Sequence, residues 1–234
     1  AGEILKANSV AGDVVSLYLD DAITYGKSVS KYYSPKLLDF TSDLADCSGA
    51  NLVSTVYIKQ ADNIKILCIE GMAVFKGDKL VYFLNGDETQ IALLIKDELK
   101  GGIFNIDEKH FKTNTRVALE VYQCKTKQKP LIKNNKLIMQ VDSDIYASIS
   151  EVQGSVNYIG QYKRDLLAKD AEKFLNDQII QLVHKTQQNY STDIFNFNET
   201  IKRKMPGYWM QTQPHWYRTY QNVIVQPNVK VHLT

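Results

Sequence analysis

Cysteine is scarce in this chain. Cys47, Cys68 and Cys124 stand alone, with no CxxC pair. That argues against a disulfide framework and a clustered thiolate site, and leaves buried or incidental thiols. The histidines are as dispersed: His110, His184, His215 and His232 share no HxxxH or HxxH spacing, so no zinc site closed by Cys and His is spelled out. No apolar run approaches the roughly 18 to 20 residues that span a bilayer as a helix. Neither charge sign dominates, with 28 Lys and Arg against 26 Asp and Glu. Together with the lack of a base-reading motif, this balance argues against a nucleic-acid partner. The phosphate-loop patterns GxxxxGK[ST] and GxGxxG are missing, and so is a nucleophile elbow. No catalytic group, metal site or cofactor is indicated, and the chain reads as a non-enzyme. The first residues, "AGEILKANSV", carry neither the basic nor the apolar region of a signal peptide, and with no initiator Met a cut fragment of a longer protein is expected.

What is present is a folded core. With 234 residues, 44% of them hydrophobic, the chain has room for one large domain or two small ones. Helices are expected over 11–29, ending near Gly26, and over 34–49, with Ser34 as N-cap, Pro35 in the first turn and Gly49 as stop. Residues 51–58 read as a strand. In "GMAVFKGDKLVYFLNGDETQ", strands at 65–76 and 79–84 meet at a Gly77-Asp78 turn, and a helix follows. Asp87 and Gln90 have capping-box spacing, and Gly101-Gly102 are expected to end that helix. These glycines turn the chain; they do not cradle a phosphate.

A domain boundary is expected near 107, dividing a middle domain (1–107) from a C-terminal domain (108–234). Beyond it, residues 115–125, 136–150 and 222–233 alternate apolar with polar, which predicts an antiparallel sheet with one covered face. The cover is a long helix over 162–189, with Leu167, Ala171, Phe174, Leu175, Ile179, Leu182 and Val183 at helical spacing. The fold class is α+β.

Three surfaces merit attention. Asp142 and Asp144 lie two apart in a strand, a separation that suits a carboxylate pair but that neighbours on any wet strand face share. Around a hairpin tip, "KTKQKPLIKNNK" gathers Lys125, Lys127, Lys129, Lys133 and Lys136. It is either a solvated loop or a surface drawn to an anionic membrane or a partner. Finally "MPGYWMQTQPHWYRTY" concentrates Tyr208, Trp209, Trp216 and Tyr217, which serve either as core or as a platform for a sugar or a partner.

Two of these stretches carry a resemblance. "GMAVFKGDKLVYFL", followed by a short helix, resembles a signature of the C subunits of spore nutrient germinant receptors, the Ger(x)C family. "KTQQNYSTDIFNFNETIKRKMPGYWMQTQPHWYRTYQNVIVQPNVKVHL" is similar to that family's second hallmark, with Gln187, Asp193, Phe195, Pro206, Trp209, Trp216, Val223 and Val225 at matching positions. Asn196 and Asn198 stand where the family favours glycine, and Asn is the next best residue for a left-handed position. The resemblance covers essentially the whole chain. It implies the middle and C-terminal domains of a three-domain lipoprotein without catalytic residues. Such a protein is tethered through an upstream diacylglyceryl anchor to the outer face of the spore's inner membrane, beside membrane-embedded A and B subunits that detect nutrients and trigger germination. The alternative is a solute- or carbohydrate-binding lipoprotein domain that uses the aromatic segment.

Overall fold

The computed structural model describes residues 4, 15–25, 28–33, 35, 40–41, 49–61, 64–111 and 114–234. Helix α1 spans Val15–Tyr25. The helix expected over 34–49 lies for most of its length outside the described residues, as does Cys47.

Strands β1 (Asn51–Ala61), β2 (Ile64–Lys76) and β3 (Lys79–Leu84) form one antiparallel sheet in chain order. The β2–β3 turn is the expected Gly77-Asp78, with Gly77 at φ +60°. Gly71 has a separate reason to be glycine. Its φ is +80°, and a Cβ there would stand 2.2 Å from the Leu84 carbonyl oxygen, so any side chain would collide with β3.

Helix α2 (Gly86–Ile95) follows at once, and its cap corrects the sequence reading. The N-cap is Asn85, not Asp87: Asn85 Oδ1 accepts from the Glu88 N–H at 2.8 Å, and Glu88 Oε2 accepts from the Asn85 N–H at 3.1 Å. Gln90 instead donates to the Val29 carbonyl at 2.9 Å. The helix also stops earlier than expected, where Asp97 takes φ +62°. Gly101-Gly102 do not end it; Gly102 opens strand β4 (Gly102–Asp107).

Strands β4, β5 (Arg116–Lys133), β6 (Lys136–Gln153) and β7 (Ile224–Leu233) form the second sheet in that order. Residues 102–107, which lead up to the expected boundary, pair with β5 from Gly102↔Val121 to Asp107↔Arg116. A division at 107 therefore cuts β4 from the strand it pairs with. The expected faces are in place: Val117, Leu119, Val121, Leu137, Met139, Val141 and Ile145 are buried. Ser143 interrupts the apolar series, but its hydroxyl meets that of its cross-strand partner Thr126 at 2.9 Å. Two neighbouring polar groups thus satisfy each other inside the core. The expected antiparallel pairing holds for β5 with β6, and the added strand β4 is antiparallel to β5 as well, whereas β7 joins β6 in parallel, from Ile138↔Ile224 to Ala147↔Leu233.

The parallel pairing follows from the route between these strands. Helix α3 (Gln161–Lys185) runs on through a π-helical turn (Thr186–Tyr190). Short helices α4 (Phe197–Lys204), α5 (Pro206–Thr212) and α6 (Trp216–Gln221) complete a crossover that returns the chain in the direction of β6. Leu167, Ala171, Leu175, Ile179 and Val183 of α3 face the core. The helix also covers the sheet edge: Asn176 Oδ1 and Glu172 Oε1 accept the β7 N–H groups of Val229 and Val231, each at 3.1 Å. An otherwise open edge is thereby closed by side chains. One hydrophobic core runs from Leu52 and Met72 through α2 to Val231.

Candidate interaction surface

Beyond Val121, the β5–β6 hairpin continues without β4, with β5 as the sheet edge and β7 still paired to β6 from Ala147 to Ile138. Its tip is Asn134-Asn135, with φ of +52° and +58°, the left-handed pair that a tight hairpin turn requires. Lys125, Lys127 and Lys129 alternate along one strand face, but they do not form one free cationic patch. Lys125 Nζ lies 2.6 Å from Asp97 Oδ2, and Lys129 Nζ lies 2.7 Å from Asp142 Oδ2. Asp142 also accepts from Gln140 at 3.2 Å and Asn228 at 3.1 Å. Its carboxyl is held below the ordinary carboxylate range, chiefly by the Lys129 hydrogen bond. Asp144 faces His232, 3.6 Å away, and the imidazole stacks on Tyr146 with ring centroids 4.5 Å apart. Asp142 and Asp144 are thus members of a charge ladder between strands. Lys133 and Lys136 pair across the tip and are exposed. Beside them Leu131 and Ile132 are 46% and 49% exposed.

The aromatic segment divides differently. Trp209 and Trp216 are 5% and 3% exposed and meet edge to face, with centroids 5.5 Å apart. Tyr208 is half-buried against the core. Tyr217 alone of the four faces solvent, at 42% exposure, with Lys76 Nζ 5.0 Å and Arg218 5.6 Å from its ring centre. Trp216 donates its indole N–H to Asp193 Oδ2 at 3.2 Å. The same carboxylate accepts the backbone N–H groups of Phe195 at 3.0 Å, Phe197 at 3.4 Å and Asn198 at 2.9 Å. Burial pushes the Asp193 carboxyl up, and these four donors pull the other way.

Residues 70–234 match the family model described as spore germination B3/GerAC like, C-terminal. The chain belongs to that family. It is 28% identical over 150 residues to spore germination protein B3 of Bacillus subtilis strain 168, covering 63% of this chain and 39% of that one. Against spore germination protein YndF of the same strain the identity is 24% over 166 residues, covering 70% and 41%. The chain thus spans about two fifths of the length of these curated relatives. The crystal structure of the GerBC protein matches 89% of this chain and 65% of its own with a TM-score of 0.70 at 21% identity, a likeness in fold.

Within this GerAC-like chain, hallmark positions Gln187, Asp193 and Trp216 are joined by hydrogen bonds to the crossover. Asp193 caps α4 and ties it to α6 through Trp216. Gln187 donates to the carbonyls of Tyr220 at 2.9 Å and Val223 at 2.8 Å, fixing the chain as it enters β7. Phe195 is fully buried, and Pro206 opens α5. Asn196 does take the left-handed conformation, at φ +60°, whereas Asn198 lies inside α4. Sequence reading missed Asp97, which reaches Lys125 across 28 residues, and Arg203, which stands near Lys127 only in the folded chain. Neither has a local signal.

Proposed function

We propose that this chain is a non-enzymatic part of a spore germinant receptor C subunit, serving assembly or signalling beside membrane-embedded A and B subunits. The full protein would be held at the outer face of the spore inner membrane by a lipid anchor upstream of this chain. Family membership over residues 70–234 supports the receptor reading. Among the described residues no helix is long and apolar enough to cross a membrane.

The observation that carries the site is the hairpin tip. Leu131 and Ile132 are exposed between Lys129 and the Lys133–Lys136 pair. Apolar side chains flanked by cations suit a partner at an anionic membrane surface, where each nearby lysine contributes about 1 kcal/mol. The alternative, a sugar-binding domain, needs Tyr208, Trp209, Trp216 and Tyr217 as an open platform, and both indoles are turned inward. The test is the full-length protein carrying Leu131→Asp and Ile132→Asp in spores. It should accumulate normally, lose the nutrient response and no longer co-purify with the membrane subunits. Unchanged co-purification and germination would overturn the assignment.

A further inference from the structure

A groove of about 470 Å³ lies between the end of α2, the segment of β5 beyond β4 and helix α4. Its walls carry Asp97, Lys125, Lys127, Glu199, Arg203 and Lys204. Both carboxylates are already engaged. Asp97 holds Lys125 at 2.6 Å with one oxygen and the Thr126 N–H at 2.7 Å with the other, while Glu199 faces Lys202 at 3.3 Å. Lys204 donates to the Gln128 carbonyl at 2.7 Å, a neutral acceptor that leaves its charge uncompensated. Lys127 and Arg203 have no hydrogen-bond or ion-pair partner among the described residues. Lys96, also on the wall, is held by Glu98 at 3.4 Å.

Cations in the last turn of α4 have an ordinary explanation, because they favour the negative end of the helix. That accounts for Lys202, Arg203 and Lys204 but not for Lys127, which a different element brings to the same groove. We infer that this groove binds a phosphate group through Lys127, Arg203 and Lys204. A guanidinium offers a planar fork to two oxygens of one phosphate, and two ammonium groups answer its remaining charge. The oxygens of a phosphate are set tetrahedrally, so donors arriving from two elements can reach different oxygens, whereas the two oxygens of a carboxylate lie in one plane. The phosphate is either that of a phospholipid headgroup or that of a soluble phosphate ester. The inference goes beyond the receptor reading and stands without it.

The chain is titrated with inorganic pyrophosphate while backbone amide resonances are followed. It is separately floated with vesicles of phosphatidylglycerol or of phosphatidylcholine. The expected result is saturable shifts confined to 125–128 and 195–204. Lys127→Gln combined with Arg203→Gln should weaken them by about tenfold or more, whereas Lys133→Gln combined with Lys136→Gln should leave them intact. All four positions are exposed, and unchanged amide spectra away from the groove confirm that each variant folds. Flotation with phosphatidylglycerol that the groove variant loses identifies a lipid headgroup; a response to pyrophosphate alone identifies a soluble phosphate. No saturable response up to about 10 mM pyrophosphate, a response the groove variant keeps, or equal binding of an oligoglutamate peptide would overturn the inference.

Discussion

Asp193 shows how much one side chain decides. Three backbone N–H groups and the Trp216 indole end on it, all in a buried setting. Removing the carboxylate leaves those donors without partners, each a desolvated polar group. Asp193→Ala should lower stability by about 3 kcal/mol in chemical denaturation. Tyr217→Ala, which removes an exposed ring, should stay within about 1 kcal/mol. Asp142 offers a test in pH. Its folded pKa lies below the ordinary value because of Lys129, so the pair stabilises the fold above that ordinary value, near pH 4. The contribution fades as pH falls through the depressed folded pKa. Lys129 and Asp142 are partly solvated, so the pair is worth at most about 1 kcal/mol. Carboxylate NMR of Lys129→Gln should show Asp142 titrating at higher pH than in the parent chain. An unmoved titration would remove Lys129 as the cause.

Helix α3 is the element on which the second sheet depends, because it both covers the core and closes the edge of β7. Leu175 is buried on its inner stripe and Lys173 is exposed. Leu175→Ala should cost about 2–5 kcal/mol through lost burial and the cavity left behind, and Lys173→Ala about 0.5 kcal/mol or less. Equal melting temperatures for the two variants would refute the assigned face. The position of this stripe was legible in sequence, because a period of 3.6 residues states which side is apolar. Phe174 is only partly buried, since it sits at the margin of the stripe, beside Ile91 and Phe104.

At the scale of the whole molecule, the two sheets share one core in which α2 is buried almost throughout. The family match also begins within β2. A fragment of residues 108–234 would lack β4 and α2 and expose the surfaces they cover. It should give collapsed amide spectra and no cooperative melt, whereas residues 1–234 should melt cooperatively. A well-dispersed spectrum from 108–234 would support an independent domain beginning at that residue.

The sequence alone determined the α+β class, the faces of β5, β6 and β7, the Gly77-Asp78 turn and the family. Each of these is written in local periodicity, turn chemistry or an ordered motif. Strand β4 was also written locally, since Phe104 and Ile106 alternate, but Ile103 out of phase and the polar neighbours hid it. Only the tertiary structure decided that β7 runs parallel to β6, because alternating burial is the same for either direction and the crossover through α3 to α6 sets the choice. It alone turned Trp209 and Trp216 inward, since an aromatic residue suits a core or a platform equally until its neighbours are placed. It divided the lysines as well. Lys125 and Lys129 find Asp97 and Asp142 at short range in space, and Lys127 finds Arg203 and Lys204 around a groove. Electrostatic energy depends on separation in space, and the composition of a segment does not contain it.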